Sequence, residues 1–141
     1  MIRPKSGQRK RSKVPSITKL IKECDRLFSI KVRGSNVIGT KRRCHTCGGI
    51  FPAKKLQCGH YLSRYYKAAR WDEDNARPQC LMCNMWKRGD PVVFRAKLLE
   101  EIGEQRVLAV EAKRHQTIKL TRDFLLSKIE ELKGEPLKKE V

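Results

Sequence analysis

Long apolar runs and acidic residues are both scarce in this chain of 141 residues, and each scarcity narrows the possible functions. The longest apolar runs are a few residues, such as 124–126, so we expect no membrane-spanning segment. Before Gly89 the chain carries 22 Lys and Arg but only 5 Asp and Glu. The formal net charge is +18 at pH 7, which indicates a polyanionic partner, with nucleic acid as the first candidate.

The length suits one domain, preceded by a basic arm. Residues 1–15 hold six basic residues and no acidic one, which predicts a flexible segment, and residues 16–141 are predicted to form the domain. No hydrophobic leader stands at the start, and four of the six cysteines form two C-x-x-C pairs. We therefore expect a reduced, intracellular protein of the cytoplasm.

Apolar residues at three- and four-residue spacing predict helices at both ends of the domain. An N-terminal helix is expected over 16–30, with Ser16 as its N-cap and Cys24 on its buried stripe. C-terminal helices are expected over 91–134. One is predicted with Asp90 as its N-cap and Pro91 in its first turn, and another starts at Thr121. A short segment through Val107, Leu108 and Val110 lies between them. This part is almost neutral, which favours packing on the core or on a partner subunit.

The two C-x-x-C pairs carry the strongest chemical signal. They supply Cys44, Cys47, Cys80 and Cys83. Each pair places two thiolates on a tight turn, and two such turns complete the tetrahedral sulfur shell that structural Zn²⁺ favours. Cys58 and His45 belong to no second pair and are not predicted ligands. A four-thiolate site is closed, so we expect this zinc to stabilise the fold rather than to catalyse.

The residues around the second pair resemble a known family. The words that carry the resemblance are Cys58-Gly59-His60-Tyr61, Asn75 with Gln79-Cys80, and Cys83-Asn84. They are similar to the HNH, or ββα-metal, nucleases, and within these to the NinG (Rap) recombination proteins of lambdoid phages. The resemblance spans about 19–132. It implies an α+β fold, with a zinc-bound treble clef at 44–90 and flanking helices. It also implies cutting of branched DNA, such as Holliday junctions, in a bacterial host cell.

The resemblance also implies a role for each letter of the motif. His60 would activate the attacking water as a general base. Asn75 would orient His60 by hydrogen-bonding across the loop. Asn84 would bind a catalytic Mg²⁺ or Mn²⁺ through its amide oxygen. Many HNH enzymes have a further metal ligand just before the histidine, where this chain has Gly59. Either His60 then binds the metal itself, or a carboxylate approaches; the candidates are Asp72, Asp74 and Asp90.

Basic residues surround the same motif, with aromatic residues between them. The predicted DNA contacts are Arg64, Lys67, Arg70, Arg77, Lys87 and Arg88. Paired cutting of a branched substrate requires two active sites related by a two-fold axis, so we predict a homodimer formed through the C-terminal helices. The alternative function is a non-catalytic, zinc-dependent module that binds nucleic acid.

Overall fold

Helices and short strands alternate along the part of the chain that the computed structural model describes, residues 14–35 and 37–134. In chain order the elements are α1 (Ile17–Arg33), β1 (Val37–Ile38), β2 (Lys41–Arg43), β3 (Ile50–Pro52), β4 (Leu56–His60), β5 (Ala76–Cys80), α2 (Pro91–Ile102), α3 (Glu104–Ala112) and α4 (Arg122–Gly134). This mixture confirms the prediction of an α+β chain. The predicted basic arm, 1–15, lies outside the described residues except for its last two positions.

Helix α1 forms where its apolar spacing predicts, and it runs three residues beyond the predicted end. The Ser16 side chain accepts a hydrogen bond from the Lys19 backbone N–H at 3.2 Å, as expected of an N-cap. The buried stripe of α1 packs against Leu125 and Ile129 of α4. Cys24 is fully buried there, with its thiol 3.7 Å from the Leu125 carbonyl, which confirms its predicted place in the core.

Two antiparallel sheets carry the cysteine pairs. Strands β1, β2 and β3 form one sheet, and the first C-x-x-C pair occupies the turn between β2 and β3. Strands β4 and β5 form the other, with His60 opposite Ala76 and Leu56 opposite Cys80. The second cysteine pair begins at the end of β5, so pairing of β4 with β5 brings the two cysteine turns together. The connection between these strands is the loop 61–75.

The C-terminal region consists mostly of helices over the predicted range, 91–134. Helix α2 starts at Pro91 and ends before Gly103, as expected, but Asp90 adopts a left-handed conformation (φ 48°) and its side chain makes no capping hydrogen bond. Helix α3 occupies the short segment to which no secondary structure was assigned from the sequence. It forms because Val107 and Val110 are buried against neighbouring elements.

Helix α4 begins at Arg122, one residue after its predicted start at Thr121. The Phe124 backbone N–H donates to the Thr121 hydroxyl at 3.1 Å, and the helix then packs against α1. Packing of α4 on α1 agrees with the prediction that this neutral region covers the core. Within 14–35 and 37–134, no helix has the length and apolarity of a membrane span.

Candidate functional site

The four paired cysteines converge on one point. The Sγ atoms of Cys44, Cys47, Cys80 and Cys83 all lie within 4.8 Å of one another. Tetrahedral Zn²⁺–thiolate bonds of about 2.3 Å would place sulfurs roughly 3.8 Å apart. The separation between Cys47 and Cys80 is 3.9 Å, and all four thiols are free of disulfides. The cluster therefore fits a tetrahedral metal ion such as zinc.

Backbone N–H groups support the thiolate form of Cys44, whereas burial raises the pKa of Cys47, Cys80 and Cys83. The Cys80 N–H donates to Cys44 Sγ at 3.3 Å, and the Gly49 N–H donates to Cys47 Sγ at 3.4 Å. Burial tends to raise the pKa of Cys44, but hydrogen bonds from the Cys80 and Cys47 backbones outweigh it and bring that pKa down to about 6. A thiol that ionises readily is a ready metal ligand, because the thiolate is the form that binds.

The two residues excluded as ligands lie elsewhere. His45 is buried and points to α2, with Nε2 3.2 Å from the Phe94 carbonyl and Nδ1 3.6 Å from the Glu101 carboxylate. Cys58 packs against the α1 core, and burial raises the pKa of its thiol to about 12. Neither belongs to the sulfur cluster, in agreement with the sequence-based prediction.

His60 ends β4 and faces α1. Its ring lies 5.9 Å from that of Phe28, and its Nε2 is 2.9 Å from the carbonyl oxygen of Arg70. A carbonyl only accepts hydrogen bonds, so Nε2 carries the proton of the neutral ring and Nδ1 keeps a lone pair. Burial lowers the pKa of His60, since it disfavours the charged imidazolium. The imidazole is therefore neutral near pH 7 and can accept a proton at Nδ1.

Asn75 holds the loop beside His60 rather than the imidazole itself. It is fully buried. Its amide oxygen accepts from the Leu62 N–H at 2.7 Å, and its amide nitrogen donates to the carbonyls of Leu62 and Ala69, both at 3.0 Å. Ala69 directly precedes Arg70, whose carbonyl binds His60. Asn75 thus acts on His60 through hydrogen bonds across the loop.

Asp25 of α1 is a site residue that the sequence reading missed. Its carboxylate accepts from Arg70 Nε at 2.9 Å and Nη2 at 2.6 Å, and from the Trp71 indole N–H at 2.9 Å. Burial tends to raise the pKa of Asp25, but the hydrogen bonds from Arg70 and Trp71 leave it lowered, so the group is ionised. Asp25 therefore fixes the segment whose carbonyl orients His60.

His60 and Asp25 line one cleft of about 560 Å³, here called the His60 cleft. Its lining includes Asp25, His60, Asn84 and Arg88. Asn84 is oriented by a 2.7 Å hydrogen bond from its amide nitrogen to the Gln57 side chain. The α1 residues Lys22, Asp25, Arg26 and Ser29 also line the cleft, and their three- and four-residue spacing was the available signal that they share a face. His60 and Asn84 therefore line the same cleft.

The structure leaves no room for a further metal ligand at position 59. A Cβ at Gly59 would lie 2.0 Å from Gln79 Oε1, so the buried Gln79 side chain occupies the space that a ligand at position 59 would need. None of Asp72, Asp74 and Asp90 lines the cleft. Asp72 pairs with Lys113 and Asp74 with Arg106. The carboxylate in the cleft is instead Asp25, already bound to Arg70.

The predicted DNA-contacting cations fall into two groups. Arg64, Lys67, Lys87 and Arg88 are exposed. Arg77 is 9% exposed, and its guanidinium binds the Glu101 carboxylate and the carbonyls of Glu73 and Ala76. Arg70 is largely buried and bound to Asp25. These internal bonds correct the prediction for Arg77 and make Arg70 a structural cation, because neither guanidinium is free to meet a phosphate.

Fold and site together define a class: a strongly basic protein of mixed helices and short sheets, built around four cysteines that can hold a metal, with a histidine-bearing cleft beside them. The family model of the bacteriophage lambda NinG protein matches residues 3–140. The chain therefore belongs to the NinG family.

Individual relatives match part of the chain. Protein NinG of Salmonella phage P22 is 40% identical over 78 residues, which cover 52% of this chain and 37% of that protein. Protein NinG of Escherichia phage 933W is 38% identical over 72 residues, 49% of this chain and 34% of that protein. The chain thus spans about a third of the length of the curated relatives it matches. No solved structure matches the chain.

Proposed function

We propose that the protein is a metal-dependent DNA endonuclease of the HNH type, acting on branched recombination intermediates such as Holliday junctions in a bacterial host cell. The observation that carries the proposal is the state of His60. Its Nε2 is committed to the Arg70 carbonyl, and its pKa is lowered by burial, so a neutral imidazole offers Nδ1 as a base inside a basic cleft. The treble-clef interpretation of the zinc frame is part of the same proposal.

The proposed chemistry is hydrolysis of a phosphodiester. Nδ1 of His60 takes a proton from a water as the water oxygen attacks phosphorus, and the opposite P–O bond then breaks. Arg64 and Arg88 line the cleft and would hold the phosphate by charge. A Mg²⁺ or Mn²⁺ ion held by the Asn84 amide oxygen would stabilise the charge on the departing oxygen.

The cleft suits such an ion only with help from the substrate. Among the described residues, the four cysteines are the one group of three or more Cys, His, Asp or Glu side chains close enough to share an ion. Mg²⁺ commonly keeps several waters and takes further ligands from phosphate oxygens, so one protein oxygen plus the DNA is a reasonable set. His60 as a direct ligand is less favoured, because Nδ1 is then lost as a base.

The same sparse ligand set favours one alternative function, a zinc-dependent module that binds nucleic acid without cutting it. The two functions differ in a direct assay. Wild-type protein and the His60→Ala variant are incubated with a labelled four-way junction and a matched linear duplex, with Mg²⁺, Mn²⁺ or no divalent ion. Metal-dependent cutting that requires His60 supports the nuclease, and binding without cutting supports the module.

Junction preference and dimer formation are tested in the same material. Paired nicks on the junction, with no cutting of the duplex, are expected of a branched-DNA enzyme. Light scattering with and without DNA tests the predicted homodimer. A monomer in both conditions would remove the basis for paired cutting.

A further inference from the structure

An exposed apolar turn stands beside the His60 cleft. It follows the second cysteine pair and consists of Leu81, Met82, Met85 and Trp86; here it is called the apolar turn. Trp86 is 76% exposed, and each of the others is more than half exposed. An isolated exposed apolar residue needs no explanation, but four within six positions indicate a binding surface.

The backbone beneath the apolar turn is held at both ends. Residues Met82–Trp86 form a single π-helical turn, with Lys87 N–H bonded to the Met82 carbonyl at 2.9 Å and Gly89 N–H to the Cys83 carbonyl at 2.9 Å. Gly89 in turn accepts from the buried Gln79 side chain at 2.9 Å. Such turns often mark functional sites, and a held backbone presents its side chains without a backbone ordering cost.

Charge indicates what the apolar turn binds. Residues 76–89 contain no acidic side chain, and the exposed Lys87 and Arg88 follow Trp86 directly. Met85 and Arg88 also line the His60 cleft, so the apolar turn is continuous with the proposed phosphate-binding surface. Indole and methionine side chains surrounded by cations suit nucleic-acid bases, which offer flat apolar faces next to phosphates.

We propose that Trp86, supported by Met82 and Met85, is a stacking platform for a base exposed at a DNA branch point. The inference rests on the proposed function for its DNA partner, and it adds the feature of the substrate that is recognised. Base pairs at a branch point are less firmly stacked than those within a duplex, so a base can be drawn onto an indole there at lower cost. A linear duplex offers such a base only at its two ends.

The two tryptophans permit a direct test, because Trp71 is buried and Trp86 is exposed. Tryptophan emission is followed while a four-way junction or a linear duplex of the same sequence is added without Mg²⁺ or Mn²⁺, so that no cutting occurs. Binding is measured separately by anisotropy of labelled DNA. Junction binding should quench wild-type emission, whereas Trp86→Phe, which retains only Trp71, should show little change.

Affinity gives the second readout. Trp86→Ala should weaken junction binding about tenfold and duplex binding far less. Met85→Ala should act in the same direction, and Leu108→Ala, an exposed apolar residue of α3, should have no effect. If junction binding quenches the emission and Trp86→Ala selectively weakens junction binding, but no cutting is seen, the stacking platform is supported and the nuclease function is not.

Three outcomes would overturn the platform. One is junction binding that leaves the wild-type emission unchanged, even if the protein cuts DNA. Another is an equal loss of junction and duplex affinity in Trp86→Ala. The third is a dimer that Trp86→Ala dissociates in the absence of DNA, which would assign the apolar turn to a protein interface.

Discussion

Nε2 of His60 donates its hydrogen bond to the carbonyl oxygen of Arg70 at 2.9 Å, while the Arg70 guanidinium is held by Asp25. One residue thus joins the candidate base to a carboxylate on a different element. The backbone of Arg70 selects the ring nitrogen that remains reactive, and its side chain fixes that backbone in place. This relationship leads to separate predictions for His60 and Asp25.

Replacing His60 by Ala should reduce cutting of a four-way junction by about a hundredfold to ten-thousandfold, the usual contribution of a general base. DNA affinity and zinc content should be unchanged, because His60 is not in the sulfur cluster. The matched control is His115→Ala, an exposed histidine distant in the chain. Initial nicking rates measure the effect, and wild-type cutting by the His60 variant would assign the base to another group.

Replacing Asp25 by Asn should slow cutting about tenfold while DNA affinity changes little, because Asp25 acts through Arg70 on the orientation of His60. Asp123→Asn, an exposed carboxylate of α4, is the control. Equal losses of rate in both variants would indicate a general effect of charge rather than a positioning role.

The cutting rate should depend on pH through the pKa of His60, and each charged neighbour of His60 should shift that pKa in a defined direction. Only the neutral imidazole accepts a proton, so the rate should rise with pH through the pKa of His60, which burial holds below its ordinary value. Asp25 raises this pKa and Arg64 lowers it. Asp25→Asn should therefore move the midpoint of the rate profile to lower pH, and Arg64→Ala should move it to higher pH. Midpoints that move together would contradict the assignment.

Cys44 could be predicted as a site residue from the sequence, whereas Asp25 could not. The cysteine pairs and the Ser16 cap were predictable because each is a local pattern whose geometry follows from spacing along the chain. Asp25 lies far along the chain from Arg70, and only packing of α1 against the loop 61–75 brings them together. Likewise, the sequence indicates that Arg77 is a cation but not that Glu101 and two carbonyls enclose it. Contacts between elements far apart in the chain could not be predicted, because they depend on how the elements pack.

Adding a methyl group at Gly59 should destabilise the fold by about 1–3 kcal/mol, because the new Cβ meets Gln79 inside the protein. Gly134→Ala is the control, since its Cβ would meet nothing within 4 Å. Urea unfolding of the zinc-loaded protein measures the loss. Shortening Gln79 to Ala in the same chain should recover part of it, whereas strictly additive losses would show that the two side chains do not compete for space.

Removing one cysteine of the cluster should abolish metal binding and cooperative folding together. Cys80→Ser leaves three thiolates, and in small domains of this kind the free energy of zinc binding is largely folding free energy. Cys58→Ser removes a thiol outside the cluster and should retain one zinc per chain. Metal analysis and thermal unfolding give the two readouts. Full zinc occupancy in Cys80→Ser would exclude the four-cysteine site.

Variants of Arg77 and Arg88 should have different effects, one on stability and the other on DNA binding. Arg77→Ala removes bonds to Glu101 and to two carbonyls in a buried setting, so it should lower the free energy of unfolding by about 2 kcal/mol. Arg88→Ala should leave stability almost unchanged, because the residue is exposed. It should instead weaken the salt dependence of DNA binding. The slope of log affinity against log salt concentration should become smaller in magnitude by about one.

Both variants are measured by urea unfolding and by DNA titration at several salt concentrations. The folded Arg77 variant should retain the wild-type salt slope, because its guanidinium never reaches a phosphate in the native protein. A lower slope in Arg77→Ala than in wild type would mean that the Glu101 pair opens on DNA, and Arg77 would return to the contact surface. An unchanged slope in Arg88→Ala would show that Arg88 does not contact a phosphate.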